Sequence, residues 1–146
     1  ILVTKANADA GGRQVNAWLA EAQRELTNMK LVSSLGMKRY LSAVKYAAFV
    51  LGNSSSGIIE APALGTPTVN IGDRQKGRLM AETVIGCMPE AGVIQAAIRQ
   101  AEQMPHRPSF LYGDGKTSEK IVKILKEFFQ TDYRHWKKTF YDMECK

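Results

Sequence analysis

The sequence predicts an α/β domain, a parallel sheet wrapped by helices. Short apolar runs alternate with stretches of helical periodicity, which is the rhythm of consecutive βαβ units. The run Ala48-Phe49-Val50-Leu51 is continuously apolar, as in a strand buried on both faces. Glycine-bounded polar loops follow the strand candidates, where α/β sheets bind their ligands.

Taken in order, Ile1-Leu2-Val3-Thr4 reads as a strand and Asn7 to Arg13 as a loop. A helix follows from about Gln14 to Leu26, then a short strand from Met29 to Val32 and a loop, Ser33-Ser34-Leu35-Gly36. Met37 to Tyr46 is helical, with Tyr40, Leu41 and Val44 on one side. After the strand at Ala48–Leu51 comes Gly52-Asn53-Ser54-Ser55-Ser56-Gly57, then a helix through Leu64. Gly65-Thr66-Pro67 interrupts, Thr68-Val69-Asn70-Ile71 is the next strand, and a polar loop runs from Gly72 to Arg78. Glu90 to Gln103 is a helix ended by Met104-Pro105, and Phe110-Leu111-Tyr112 a short extended piece before the turn Gly113-Asp114-Gly115. Thr117 or Ser118 can cap a helix to about Phe129, and Asp132 to Lys146 reads as one more, with Tyr133, Trp136, Phe140 and Met143 in a stripe.

Composition narrows the function classes. The 146 residues are 45% apolar and 23% charged, the balance of a soluble globular domain, and no apolar run approaches the roughly 18 residues of a membrane span. Ile1 is not a methionine, and an opening strand reads as the start of a fragment. Only Cys87 and Cys145 are present, without metal-ligand spacing, so a reduced cytoplasmic protein is expected. His106 and His135 stand apart from each other and from acidic clusters, and neither a metal nor a cofactor is expected. The net charge of +6 favours anionic partners. Lys116, Lys120, Lys123 and Lys126, however, recur at helical spacing opposite Ile121, Leu125 and Phe128, and no aromatics are interleaved with them. That describes a solvated helix face rather than a nucleic-acid groove.

Two loops carry the chemistry. In Gly52–Gly57 the glycines allow a tight turn and close approach, three serines offer hydroxyls, and free amides stand at the start of a helix, all features of an anion site. The glycine spacing imitates the opening of a Walker A loop, but Ile58 and Ile59 replace its Lys and Ser/Thr. A diphosphate held without nucleotide hydrolysis fits better, and the three-glycine dinucleotide pattern is missing. Glu60 suits either a carboxylate at a helix start or an acceptor for a ribose diol. The second loop, Gly72-Asp73-Arg74-Gln75-Lys76-Gly77-Arg78, offers three cations that could close over a diphosphate, or else simply face solvent.

The stretch Gly52-Asn53-Ser54-Ser55-Ser56-Gly57-Ile58-Ile59-Glu60-Ala61-Pro62, continued by Gly65-Thr66-Pro67 to Arg78, resembles the hydrolysing UDP-N-acetylglucosamine 2-epimerases of sialic-acid synthesis. Lys5 to Arg13 and Tyr112-Gly113-Asp114-Gly115 are also similar to that family, so the likeness covers about residues 1 to 128. It implies a glycosyltransferase-B-like fold of two Rossmann-like halves. This chain resembles the C-terminal half: a UDP-binding domain over 1–130, its first strand and the N-terminal domain absent, and a C-terminal helix over 131–146 that crosses back to the other half.

By that resemblance, Ser54 and Ser55, with the adjoining Ser56 and Gly57, bind the diphosphate, Glu60 the ribose hydroxyls, and Arg74 the nucleotide. Ser34, in the Ser33–Gly36 loop, lies near the uracil, and Arg13 falls where some animal members bind a feedback inhibitor. The reaction implied removes UDP from C1 with loss of the C2 proton. Water then adds to the resulting 2-acetamidoglucal, giving N-acetylmannosamine. The acid–base carboxylates for this belong to the N-terminal domain, and the family's histidine falls upstream of Ile1, so no catalytic residue is expected here. The implied partners are UDP and UDP-N-acetylglucosamine, the missing domain and further copies of the protein, with no nucleic acid or membrane. A UDP-diacetylbacillosamine hydrolase, a non-hydrolysing epimerase and a non-catalytic nucleotide-sugar module remain as alternatives.

Overall fold

A computed structural model describes residues 1–7 and 9–130. The chain divides into two units, Ile1–Leu111 and a second beginning at Tyr112. The aromatic stripe expected from Tyr133 to Met143 lies outside the described residues.

The first unit is α/β with parallel strands throughout. Its ladders form two groups: β1 (Leu2–Thr4) pairs with β2 (Lys30–Val32), while β3 (Val50–Gly52), β4 (Thr68–Ile71) and β5 (Val84–Cys87) form a three-stranded sheet in that order. Leu2 faces Lys30, Leu51 faces Val69, and Val69 faces Ile85. The sequence reading treats these strands as one sheet and omits β5.

That omission has a cause in the connection. Parallel neighbours need a crossover of about a dozen residues or more, usually a helix. Between β4 and β5 the chain crosses over 72–83 without any helix, so the strand–helix–strand rhythm that signals each other strand is absent.

The helices are α1 (Gly12–Glu25), α2 (Gly36–Tyr46), α3 (Glu60–Ala63) and α4 (Ala91–Glu102). α4 lies against β4 and β5, where Ala97 and Ala101 meet Val69, with Phe49, Ile71, Ile85 and Ile98 packed around them. The core is centred on β4: Val69 is 0% exposed, and so is Ile58 on the approach to α3. Thr66, also fully buried, donates its hydroxyl to the Val44 carbonyl at 2.8 Å, fixing the end of α2 to the start of β4.

Two expected elements take other forms. In place of the helix expected after Gly57 and through Leu64 stand a 3₁₀ turn at Ser55–Gly57 and the four-residue α3. Pro62 lies inside that stretch, and Gly65, at a φ of 82°, ends it. Leu111 and Tyr112 form a turn rather than an extended piece. In the second unit, α5 (Thr117–Gln130) begins beside Asp114, which accepts hydrogen bonds from the Lys116 amide and from Lys120 Nζ. The Lys120 bond, and then the Lys116 amide, hold the Asp114 carboxyl below its ordinary pKa.

Candidate functional site

The register of β3 against β4 determines where the two candidate loops emerge. Gly52 faces Asn70, so the chain leaving β3 and the chain leaving β4 depart from the same end of the sheet. That end is the carboxyl edge, where ligands of open α/β sheets bind.

The serine bend is built as a capped turn. Ser54 has extended backbone dihedrals, and its hydroxyl accepts from the Ser56 amide at 3.3 Å. The Ser54 carbonyl takes the Gly57 amide at 3.0 Å, and the Ser55 carbonyl takes those of Ile58 and Ile59. Ser54 is exposed, while Ser55 and Ser56 are half-buried. Ser56 Oγ in turn accepts the Tyr40 hydroxyl of α2 at 2.7 Å. Ser54 and Ser56 are thereby partly committed to one another and to α2.

Because α3 is only one turn long, a helix dipole contributes little here. Any anion would be held by local hydroxyl and amide donors rather than by the long helix the sequence suggests. Gly57 also serves the packing of the turn itself. It is buried, and a Cβ there would stand 2.9 Å from Thr68 Cγ2, so its missing side chain lets the 3₁₀ turn lie against β4.

The second loop folds back onto the first. Arg74 donates from Nη1 to the Asn53 carbonyl at 3.2 Å, and Gln75 donates from Nε2 to that same oxygen at 2.7 Å. Asn53 immediately precedes Ser54, so the loop carrying Arg74 is tied to the root of the serine bend. Gly72, at a φ of 75°, makes the bend that begins this return. Asp73, Arg74, Lys76 and Arg78 are all exposed, leaving the three cations of the loop available to an anion.

The other candidates are placed differently. Glu60 opens α3, three residues past Gly57, with its side chain exposed and bonded to no other described residue. Ser34 ends up in the bend after β2, where its hydroxyl accepts the Gly36 amide at 3.2 Å. No hydrogen bond joins it to the serine bend among the described residues, although α2, which begins just after it, carries Tyr40. Arg13 sits in the first turn of α1 and lines an open depression with Asn7, Asp9 and Asn16, apart from the β3–β4 loops. The described residues contain no group of three or more His, Cys, Asp or Glu placed to share a metal. No described helix is long and apolar enough to cross a membrane.

Sequence reasoning singled out Arg74 but missed Gln75 and Asn53 as the joint between the loops, and it read Tyr40 only as an apolar-face residue. A glutamine among the charges of Asp73 to Arg78 carries no signal of burial.

Comparison with known proteins then supplies the family. The family model described as UDP-N-acetylglucosamine 2-epimerase matches residues 1–126. Over 86 residues the chain is 48% identical to the GDP/UDP-N,N'-diacetylbacillosamine 2-epimerase (hydrolyzing) of Campylobacter jejuni, covering 58% of this chain and 22% of that protein. Over 145 residues it is 33% identical to polysialic acid biosynthesis protein P7 of Escherichia coli, covering 95% of this chain and 37% of the relative. The UDP-N-acetylglucosamine 2-epimerase of Neisseria meningitidis is 35% identical over 96 residues, 63% of this chain and 26% of that enzyme. The chain therefore spans well under half the length of these relatives. With its parallel α/β architecture and its match over residues 1–126, the chain belongs to the UDP-N-acetylglucosamine 2-epimerase family.

Proposed function

We propose that this chain is the UDP-gripping part of a hydrolysing UDP-N-acetylglucosamine 2-epimerase. The parent enzyme would eliminate UDP and add water to give N-acetylmannosamine. The carrying observation is the junction at Asn53, which puts the serine bend and the Arg74 loop at one carboxyl edge of the β3–β4–β5 sheet. In this reading Ser54, Ser55 and Ser56 face the diphosphate, with Gly57 shaping their turn, and Arg74 leaves the Asn53 carbonyl to pair with it, a change that exchanges a neutral acceptor for a charged one. Glu60, exposed and unpaired among the described residues, accepts from the ribose diol. Ser34 serves the uracil side and Arg13 a separate regulatory position.

The chemistry on the sugar belongs to a second domain, as does the other wall of the cleft. The protein would work as a homo-oligomer in the cytoplasm. This chain alone then binds UDP without turning over UDP-N-acetylglucosamine, and normal UDP release by the isolated chain would contradict that division of labour.

A second reading differs only in the sugar. The 48% identity to the Campylobacter enzyme named for diacetylbacillosamine favours a substrate with a second acetamido group. Assaying both UDP-sugars with the full-length enzyme separates the two.

The site itself is tested by titrating UDP into the chain calorimetrically, with Arg74→Ala and Glu60→Ala in parallel. Each variant should lose about tenfold or more in affinity, the scale of one charge-assisted hydrogen bond. Unchanged affinity in both variants removes the assignment.

A further inference from the structure

Gln75 is the exception in its loop. Its neighbours Asp73, Arg74, Lys76 and Arg78 are exposed, whereas Gln75 is only 3% exposed. A buried primary amide is costly unless it is bonded, and this one donates one of its two N–H groups to the Asn53 carbonyl at 2.7 Å. Its Oε1 is buried with no hydrogen-bond partner among the described residues. The reverse orientation of the amide would set two acceptor oxygens against each other, so the Nε2 contact also fixes which way the side chain points.

The Asn53 carbonyl has two lone pairs, and two donors use them. They are not equivalent. Arg74 is exposed, with a longer contact of 3.2 Å, and can depart without opening the structure. Gln75 cannot leave without unburying itself. The peptide that Gln75 holds leads directly into Ser54, whose extended backbone and hydroxyl set up the turn through Ser56.

We infer that Gln75 is a positioning residue for phosphate recognition: it holds the Asn53 carbonyl so that the serine bend stays formed when Arg74 swings onto the anion. This rests on the reading of the bend as a diphosphate cradle. Gln75 touches no ligand itself and acts by limiting the conformational freedom that binding would otherwise have to remove.

The test compares UDP with uridine, which lacks the phosphates, on the unaltered chain and on Gln75→Met and Gln75→Glu. The methionine keeps length and volume but has no donor. It should weaken UDP about tenfold, the scale of one lost hydrogen bond to a preorganised site, and leave uridine within about twofold. Amide exchange at Ser55 and Ser56 should accelerate in the same variant. The glutamate variant adds a pH readout. Ionised, its carboxylate repels the carbonyl; protonated, its O–H can donate to it, and burial favours the protonated form. Its UDP affinity, taken relative to the unaltered chain at each pH, should recover as pH falls.

Equal losses for UDP and uridine, or a glutamate variant whose ratio to the unaltered chain is flat with pH, overturns the proposal. Should the methionine variant fail to fold, that pH-dependent ratio decides alone. An unaltered chain that binds no UDP sinks the cradle reading and this inference with it, whereas normal UDP binding alongside indifferent variants sinks only the inference.

Discussion

Within Ile1–Leu111, β4 and β1 are built from similar residues and held by different forces. β4 buries Thr68, Val69 and Asn70 in succession, between β3 and β5 and beneath α4, while β1 leaves Leu2 49% exposed and pairs, among the described residues, with β2 alone. Around β4, Val69 and Ile71 pack with Ala97, Ala101 and Ile85 in an apolar cluster. Around β1 and β2, side-chain amides fasten the backbone. Asn16 of α1 bonds both the amide and the carbonyl of Ala6, and Gln23 accepts the Leu31 amide. Trp18, on the same α1, is 59% exposed. The comparison teaches that the candidate site grows from the rigid part of the fold. Both of its loops are rooted in the β3–β4 pair, as a preorganised binding site requires.

The largest difference should appear on truncating the two strands. Val69→Ala removes two fully buried methyl groups and should cost about 2–3 kcal/mol in urea unfolding. Leu2→Ala, at a half-exposed position, should stay within about 1 kcal/mol. Equal costs would mean that β1 is as well packed as β4 and would dissolve the contrast.

A medium effect should sharpen it at the site. Gly57→Ala forces a Cβ to within 2.9 Å of Thr68 Cγ2, a methyl on a stiff, buried, β-branched side chain. The variant should lose about 1–3 kcal/mol. Thr68→Ser removes that methyl, so the double variant should recover part of the loss, with a coupling of about 1 kcal/mol. Additive costs would show that the 3₁₀ turn can lift off β4 freely and that the cradle is not anchored there.

What the sequence makes legible follows the same division. The run Ala48–Leu51 announces a strand by its continuous apolarity. The two-sided burial expected of it is not found, since β3 has only β4 beside it among the described residues and leaves Leu51 47% exposed. Thr68–Ile71 is legible because β-branched residues stand between the turn signals Gly65-Thr66-Pro67 and Gly72. The serine bend is legible because its glycines and hydroxyls are local chemistry. β5 escapes because Val84-Ile85-Gly86-Cys87 is short, contains a glycine, and follows a helix-free crossover. The helix expected up to Leu64 is over-read because Ile58, Ile59, Ala61 and Leu64 mimic helical spacing, although Pro62 and Gly65 confine the helix to four residues. The Asn53 junction is illegible for another reason. It pairs Gln75 with a backbone carbonyl 22 residues away, and main-chain acceptors leave no mark on sequence. The roles of Ser34 and Arg13 rest on resemblance, since no hydrogen bond among the described residues draws them to the bend.

The smallest effect concerns the β1–β2 side, and it should be local. Asn16 satisfies both polar groups of Ala6 through one side chain, at 2.8 and 3.1 Å, in a partly buried position. Asn16→Ala strips both bonds but leaves Ala6 near enough to solvent for water to replace part of what is lost. The expected cost is about 1 kcal/mol. Because neither β4 nor α4 contributes to that contact, amide exchange should quicken at Ala6 and in β1 while the Val69 and Ile71 amides keep their protection. UDP affinity should not change, since the bend and the Arg74 loop are fastened to each other and to α2 through Tyr40, without help from α1. Faster exchange throughout β4 in this variant would show instead that the two sheets open together, and that the polar fastening at Asn16 is part of what keeps the site rigid.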